Sequence, residues 1–314
     1  MGAITIIQNG LSCANSGNPY TIAFIGCGSV GSCLGRKLNE AGYTIGNISC
    51  QSKSSADKAQ RFIGAGTTSE PEEGPRRSAL SSTIIIIGTP DRSISSVDVR
   101  LAPHLHKGHI ILHLSGALPS SRLKHCRDRQ AAIGSMHPLQ SFADPEATLE
   151  ILAGSTFACE GDERAVVAGF EIAQAVGGHP IRIQTESKSI YHAAAAAASN
   201  FMIAPLLLAL DLMKAAGLDH ETGLQALSPL ITGTARNAVR IGVPDALTGP
   251  IERNELLVIQ GHLQSIAKDC PDCLPSYRAL ARLTVDVAIR KGRLSEAEAA
   301  KLITLIAADI SDIP

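Results

Sequence analysis

Three ionisable side chains share one face of a helix that is predicted to begin near residue 187. Lys188, Tyr191 and His192 occupy positions i, i+3 and i+4, and Ala195 and Ser199 continue the same face. An ammonium, a phenol and an imidazole on one stripe can donate to a developing oxyanion and transfer a proton near neutral pH. We therefore assign a catalytic role to these three residues. The alternative is a solvated first helical turn, the usual position of Lys and His.

Another imidazole comes shortly after the predicted strand 131–135. His137 directly precedes Pro138, which restrains the local backbone and can fix the direction of the ring. His137 therefore joins the catalytic candidates, although a histidine satisfied within a turn accounts for the sequence equally well.

Four residues later in the chain are candidates for substrate binding. Thr248, Gly249 and Arg253 belong to the turn 247–254, which precedes a predicted helix. Ser199, on the face described above, is the fourth candidate. Helix capping alone explains much of the same turn and stays open as an alternative.

A glycine fingerprint near the start of the chain predicts a cofactor site. An apolar run, 20–25, reads as a buried strand and is followed by glycines at G-x-G-x-x-G spacing and then by a helical pattern. In such a unit the glycines permit a tight turn, close approach of a pyrophosphate and helix–sheet packing, while the helix N-terminus attracts the phosphates. The fingerprint predicts dinucleotide binding by Gly26, Cys27, Gly28, Ser29, Val30 and Gly31.

The residues after the second predicted strand, 43–49, bear on the choice between NAD and NADP. An acidic residue that bonds the ribose 2′-OH is common there in NAD-binding units. This chain has Ser52, Lys53 and Ser54 instead. Hydroxyls and a cation suit a 2′-phosphate, which a carboxylate would repel. NADP(H) is therefore the expected cofactor, and a solvated turn that carries a lysine is the alternative.

Successive predicted strands end in small or polar residues. The run 82–88 is uninterrupted and β-branched, which is typical of a central parallel strand buried on both faces, and it leads into Thr89 and Pro90. The next strand leads into Ser115 and Gly116, which we expect beside the nicotinamide. Since open α/β sheets bind ligands at the carboxyl ends of their strands, these four residues complete the predicted cofactor contacts.

The pattern of elements changes near residue 185. Strands and helices alternate before it and predict an α/β fold with a Rossmann-type parallel sheet, whereas only amphipathic helices follow. Ser295 and Glu298 form a capping box at the start of the last one. We expect an NADP-binding Rossmann-like domain over 1–185, with 1–19 as an N-terminal extension, and an all-helical substrate and dimerisation domain over 186–314. Its Ala- and Leu-rich helices predict a homodimer.

Composition restricts the partners. Hydrophobic residues make up 45% and the net charge is −1, which does not favour nucleic acid or an acidic membrane surface. A small-molecule substrate is expected instead. The segment 193–213 has the length of a bilayer span, but Asn200, Pro205 and Asp211 interrupt it and favour a buried helix or helix pair.

The cysteines and histidines indicate neither a disulfide framework nor a metal site. Eight scattered cysteines at this chain length suit reduced thiols in a cytoplasmic protein. We interpret Cys270 and Cys273 as incidental, since no second ligand pair accompanies them. The histidine cluster over 104–125 lacks a zinc pattern, so no metal is expected.

These motifs together resemble the 6-phosphogluconate/β-hydroxyacid dehydrogenase superfamily. The resemblance rests on the glycine fingerprint and on residues 52–54, 88–91, 114–116, 137–138 and the helix that begins at Lys188. Those enzymes carry a Lys and, four residues later, an Asn. The resemblance implies that Lys188 is the proton donor and that His192 replaces the Asn. Residues 191–193, 199–200 and 247–251 are more similar still to uncharacterised Rossmann-like NADP-binding oxidoreductases with a helical C-terminal domain of unknown function.

The resulting hypothesis is an NADP-dependent oxidoreductase. Hydride would pass between the nicotinamide and a small carbonyl, hydroxy or imine compound in an interdomain cleft, while Lys188, assisted by His192, handles the proton. A prephenate- or ketopantoate-like dehydrogenase, or a reductase with a deazaflavin as hydride partner, is an alternative enzyme. A non-catalytic NADP-binding sensor or scaffold is the alternative outside enzymes.

Overall fold

The predicted sheet is present in a computed structural model, which describes residues 20–142 and 145–312. The strands in these ranges are β1 (Thr21–Ile25), β2 (Thr44–Ser49), β3 (Thr67–Thr68), β4 (Ile84–Ile87), β5 (Ile110–His113), β6 (Ala132–Leu139), β7 (Thr156–Gly161) and β8 (His179–Arg182). They form one sheet in the order β3-β2-β1-β4-β5-β6-β7-β8. All neighbouring strands are parallel except β6 and β7, which are antiparallel. The expected Rossmann-type α/β fold is confirmed, with that one departure from a parallel sheet.

Helices connect the strands and are the main elements of the described part of the chain after β8. Those in the described residues are α1 (Ser29–Glu40), α2 (Lys53–Ile63), α3 (Gly74–Ser81), α4 (Asp91–Leu101), α5 (Lys124–Asp128), α6 (Pro145–Leu152), α7 (Glu163–Ala175), α8 (Lys188–Ala198), α9 (Ile203–Ala215), α10 (His220–Ile241), α11 (Val243–Ala246), α12 (Leu256–Asp269), α13 (Leu274–Arg290) and α14 (Glu296–Ala307). The chain divides into two compact units, residues 1–196 and 197–314. The expected domain boundary at 185/186 lies earlier, between β8 and α8. The predicted extension 1–19 falls outside the described residues.

Strand β4 lies at the centre of the first unit. Ile84 and Ile86 pack in one hydrophobic cluster with residues of α1 and α7, and Ile85 and Ile87 pack in a second cluster with residues of α4 and α5. All four side chains are fully buried, as the uninterrupted β-branched run predicts. Each contributes about 1.5–3 kcal/mol through burial. This core fixes the position of the strand ends, where the candidate site lies.

The second unit is helical, and no strand occurs in its described part. Its core joins Leu263 of α12, Val285 of α13 and Leu302 of α14. The capping box is confirmed: the Ser295 hydroxyl accepts from the backbone N–H of Glu298 at 3.3 Å, and the Glu298 carboxylate accepts from the Ser295 N–H at 2.9 Å. The two side chains therefore accept hydrogen bonds from N–H groups at the start of α14 that have no partner within the helix.

The apolar stretch around α8 and α9 corrects one expectation. It forms two α-helices separated by a short 3₁₀ helix at Asn200–Met202, so the predicted helix pair is present. Residues Thr185–Ala215 are nevertheless long and apolar enough, at a mean hydropathy of 1.8, to pass as a membrane span on length and composition. The expected burial was wrong, because none of the most apolar part of this stretch is buried within the chain. Helix α9 has no buried residue, and α10 buries only Gly223.

Candidate active site

A cleft of about 1030 Å³ opens in the first unit where β1, β2 and β4 end. We call it the strand-end cleft. The glycine turn after β1 lines it together with the segments that follow β2 and β4, through Gly26, Cys27, Gly28, Ser29, Cys50, Gln51, Gly88, Thr89 and Pro90. These are the carboxyl ends at which open α/β sheets bind ligands. Of the cofactor contacts predicted around the fingerprint, Val30 instead packs against the core and Gly31 is buried.

The turn after β1 requires glycine for a steric reason. Gly26 has a φ of +81°, and a Cβ there would lie 2.6 Å from the backbone nitrogen of Thr89. Only glycine fits this left-handed conformation and close contact. By contrast, a Cβ at Gly28 would have no atom within 4 Å, so the backbone there faces open space that a ligand can occupy. Gly31 packs the start of α1 against the turn.

The start of α1 has the properties of an anion site. Gly28 caps the helix without a side-chain hydrogen bond, and the first turn contains no acidic residue. Its N–H groups and the positive end of the helix dipole are therefore available to a phosphate. Thr89 lines the same cleft, and its hydroxyl is buried and has no hydrogen-bond partner in the described residues. This donor set suits a nucleotide.

The side chains of Ser52 and Lys53 are occupied by contacts within the protein. Ser52 caps α2 by accepting from the Ser55 N–H at 3.2 Å, and the Lys53 ammonium bonds to Asp57 and Thr68. Ser54 is exposed, and none of the three predicted residues is among those lining the cleft. Their role in cofactor binding stays a prediction.

Other cations line the strand-end cleft, and sequence reasoning missed them. Lys58 of α2 and Arg92 of α4 both do so, and neither forms an ion pair in the described part of the chain. Ser55 also lines the cleft and lies one helical turn before Lys58. The i, i+3 spacing of Ser55 and Lys58 was the signal available in the sequence.

The predicted catalytic side chains come together in the first unit. Lys188 begins α8 and is only 1% exposed, and its ammonium bonds to the Ser135 hydroxyl of β6. The Tyr191 hydroxyl lies 3.0 Å from Nδ1 of His137, and the rings of His137 and His192 are 6.1 Å apart between centroids. We call these four predicted residues the Lys188 cluster. A solvated first turn is excluded for Lys188.

His137 lies within a strand, which corrects the expectation that it follows one. Pairing of β5 with β6 ends at His113 and Ser135, but β6 continues to Leu139 because the antiparallel strand β7 pairs with it that far. Its position inside the strand fixes the backbone at His137 more firmly than a turn would.

Gly116 lies between two imidazoles. A Cβ at this position would be 2.7 Å from both His137 Nε2 and His192 Nδ1. The His192 Nδ1 atom is buried and has no hydrogen-bond partner in the described residues. The neighbouring Ser115 hydroxyl accepts from the N–H groups of Ala117 and Leu118, at 3.2 and 3.0 Å, and so shapes the turn. Gly116 thus leaves room for both rings.

Burial sets the protonation of Lys188, His137 and Tyr191. Burial lowers the pKa of Lys188 to about 8, against the opposing effects of Glu160, Cys159 and Asp91. Burial, followed by the Lys188 charge, lowers the pKa of His137 to about 4. Burial raises the pKa of Tyr191 to about 12. At neutral pH the cluster therefore combines a charged amine that releases its proton readily, a neutral imidazole and a neutral phenol.

Three further side chains next to Lys188 were not predicted. His113 ends β5 fully buried, with a pKa lowered to about 4 by burial and by the Lys188 charge. Ser135 and Glu160 face each other across β6 and β7, and their atoms Oγ and Oε1 are 2.7 Å apart. In the sequence these residues stand inside strands, where polar side chains carry no distinctive spacing.

The predicted substrate residues lie in the second unit and are exposed, except Gly249, which is half-buried. Ser199 follows α8, and Thr248 and Gly249 lie in the segment after α11. Arg253 forms hydrogen bonds of 2.8 and 3.0 Å to the two carboxylate oxygens of Glu255. Substrate binding by these residues stays a prediction. No three His, Cys, Asp or Glu side chains in the described ranges converge as metal ligands.

Two family models match the chain one after the other. Residues 14–138 match the Rossmann-like domain, and residues 155–284 match a family described as "Domain of unknown function (DUF2520)". The predicted succession of a Rossmann-like domain and a domain of unknown function is confirmed. Membership of the 6-phosphogluconate/β-hydroxyacid dehydrogenase superfamily stays a prediction. No curated protein sequence matches the chain.

Several solved structures share the fold. Protein TM1727 from Thermotoga maritima is 28% identical over 86% of this chain and 99% of that one, with a TM-score of 0.68. A putative NADP oxidoreductase, BF3122 from Bacteroides fragilis, is 20% identical over 84% and 96%, with a TM-score of 0.66. A reductive aminase from Aspergillus terreus, in complex with NADPH4, cyclohexanone and allyl amine, is 19% identical over 91% and 99%, with a TM-score of 0.60.

Proposed function

We propose that the protein is an NADP(H)-dependent oxidoreductase that acts on a small carbonyl, hydroxy or imine compound. One observation carries the proposal: a cleft suited to a dinucleotide opens at the carboxyl ends of β1, β2 and β4, and the buried Lys188 cluster lies next to the segment that follows the neighbouring strand β5 and along β6. Adjacent strands are about 4.8 Å apart. Asp91 follows the cleft residues Thr89 and Pro90 and is close enough to act on the pKa of Lys188.

Residues of the strand-end cleft would hold the cofactor. The start of α1 would bind the pyrophosphate, and Lys58 and Arg92 supply positive charge that suits a 2′-phosphate. Fold relatives described as an NADP oxidoreductase and as a reductase crystallised with NADPH4 support this choice. The nicotinamide, when bound, supplies or accepts the hydride. Gly116 and Ser115 follow β5, beside the Lys188 cluster, where we expect the ring.

The Lys188 cluster would manage the proton that accompanies the hydride. In the reductive direction, the Lys188 ammonium gives a proton to the substrate oxygen or nitrogen, and in the oxidative direction its neutral amine takes that proton back. A pKa of about 8 suits both directions near neutral pH. His192, with a buried Nδ1 that has no partner in the described residues, is free to bind the substrate.

The second unit would pair with a second copy of the chain. Helices α9 and α10 expose Ile203, Leu207, Leu230 and Val239, which are 65%, 54%, 65% and 90% exposed. Asp211 and Lys214 lie on the same α9, so a protein partner is a better cover for this surface than lipid. The proposal includes a cytoplasmic location, in keeping with the free thiols of the seven cysteines that lie in described residues.

Two measurements test the proposed function. Calorimetry should find tighter binding of NADPH than of NADH, and NADPH should be oxidised with at least one member of a panel of keto acids, cyclic imines and ketone–amine pairs. Equal affinity for both cofactors would overturn the choice of NADP(H). Tight NADPH binding without turnover on the whole panel would instead favour a sensor or scaffold.

A further inference from the structure

Glu160 is a buried carboxylate to which the proposed reaction assigns no role. It lies on β7 and is only 1% exposed. Its Oε1 accepts from the Ser120 N–H at 2.8 Å and from the Ser135 hydroxyl at 2.7 Å. Its Oε2 accepts from the Ser120 hydroxyl at 2.7 Å and from the Thr185 hydroxyl at 2.8 Å. Four donors thus fill the positions at which a carboxylate accepts hydrogen bonds.

These bonds keep Glu160 charged. Burial alone raises the pKa of a carboxyl group, but the hydrogen bonds from Ser135, Ser120 and Thr185 outweigh burial, and the pKa of Glu160 is lowered. Glu160 is therefore an anion inside the protein at neutral pH.

Ser135 connects the Glu160 carboxylate to the Lys188 ammonium through two hydrogen bonds, each with only one possible donor. A carboxylate only accepts hydrogen bonds and an ammonium only donates them. The Ser135 hydroxyl therefore donates to Glu160 and accepts from the Lys188 ammonium, to which it is bonded. Ser135, Glu160 and Lys188 are each 1% exposed, so bulk water does not screen the pair.

Glu160 is the buried anion among the groups that face Lys188. The others are Cys159 of β7, His113 of β5, His137 of β6 and Asp91 of α4. Cys159 is a neutral thiol at neutral pH because burial raises its pKa to about 12, and both imidazoles are neutral. Asp91 is exposed at the start of α4, where water screens its charge.

We propose that Glu160 is a positioning residue that acts on Lys188 through Ser135. The charge of Glu160 keeps the buried amine of Lys188 protonated. The hydrogen bond to Ser135 fixes one N–H of this ammonium, so that its other two N–H groups point elsewhere in the Lys188 cluster. Without a nearby anion, burial would lower the pKa of this ammonium further. The inference rests on the proposed function only for the statement that Lys188 serves the reaction.

The test is an NMR titration of Lys188 in the full-length protein without cofactor or substrate. Carbon-13-labelled lysine gives the resonances, and Lys188→Met identifies the one that belongs to Lys188. In Glu160→Gln, which removes the charge, the pKa of Lys188 should fall by about one unit or more, the size of the effect of a nearby opposite charge. In Ser135→Ala, which removes the bridging hydroxyl and keeps the charge, the pKa of Lys188 should also fall, but by less. Glu160→Asp, which keeps the charge, should restore part of the difference.

Ser120→Ala is the matched control. It removes one hydrogen bond to Glu160 but leaves the charge and the Ser135 bridge, so the Lys188 pKa should stay close to wild type. A purely structural role would lower thermal stability in Glu160→Gln and Ser120→Ala without moving that pKa. Unchanged Lys188 pKa values in both Glu160→Gln and Ser135→Ala overturn the inference, even if the enzyme turns over. A lowered pKa supports it, even if no substrate is found.

Discussion

The hydroxyl of Tyr191 lies 3.0 Å from Nδ1 of His137, and the direction of this hydrogen bond depends on which nitrogen of the imidazole carries the proton. Burial raises the pKa of Tyr191 to about 12, so the phenol keeps its hydrogen and is able to donate it. His137 is neutral, with a pKa lowered to about 4 by burial. We predict that Nδ1 accepts from the phenol, which leaves the ring hydrogen on Nε2, the His137 atom nearest to a Cβ built at Gly116.

Tyr191→Phe should remove the preference of His137 for one tautomer. Nitrogen-15 spectra of the wild type should show His137 as the Nε2–H form, and the variant should show a mixture. Loss of one hydrogen bond, worth about 1 kcal/mol, should lower kcat about fivefold. If His137 has the same tautomer in both proteins, the proposed role of Tyr191 is wrong.

Acidification should weaken the fold through His113. Its pKa is lowered from 6.5 to about 4, chiefly by burial, so between these pH values the unfolded chain binds a proton that the folded chain does not. The free energy of unfolding should therefore fall as the pH drops from 6.5 to 4, by roughly 3 kcal/mol from this group. Urea denaturation of wild type and His113→Asn at pH 7 and pH 4.5 isolates the effect. The wild type should lose more stability than the variant, and equal losses would refute the assignment.

Lys58 and Lys53 offer a matched pair for cofactor selectivity. Both are on α2, but Lys58 lines the cleft whereas the Lys53 ammonium bonds to Asp57. Lys58→Ala should weaken NADPH binding by about 1.5–3 kcal/mol and leave NADH binding nearly unchanged, because only NADPH carries the 2′-phosphate. Lys53→Ala removes the same charge and should have a smaller effect. The opposite order in calorimetry would restore the assignment made from the sequence.

The exposed face of α9 and α10 predicts a dimer in solution. Light scattering at tens of micromolar, an order-of-magnitude concentration for interfaces of standard size, should give twice the chain mass. Leu207→Glu should shift the protein towards monomers, since it introduces a charge into the apolar face. Lys301→Glu changes an exposed residue of α14 and should remain dimeric. A wild-type monomer would refute the prediction.

Local patterns were enough to predict much of the fold. The isoleucine run of β4, the glycines after β1 and the capping box of α14 each depend on neighbours in sequence, and each is present. The extension of β6 through His137 was not predicted, because it depends on pairing with β7 rather than on local propensity.

The candidate site was predicted in part for the same reason. Lys188, Tyr191 and His192 share a helix face, so their spacing reveals them. Glu160 has no such spacing in the sequence. Its partners Ser120 and Ser135 are 40 and 25 residues away and come close to it only in the folded sheet. The sequence suggests Lys53 as a phosphate ligand. In the structure its ammonium instead pairs with Asp57, four residues later in α2. Burial of Lys188, which sets its pKa, likewise results from tertiary packing.

The central claim is that Lys188 handles the proton of an NADP(H)-dependent reaction. The most direct test compares NADPH oxidation by wild type and Lys188→Met, at saturating NADPH, with a substrate taken from the panel. We predict a loss in kcat on the order of 10²–10⁴ with little change in the Kd for NADPH, and a wild-type rate of reduction that falls above about pH 8 as the ammonium is lost. Full activity of Lys188→Met would contradict the account.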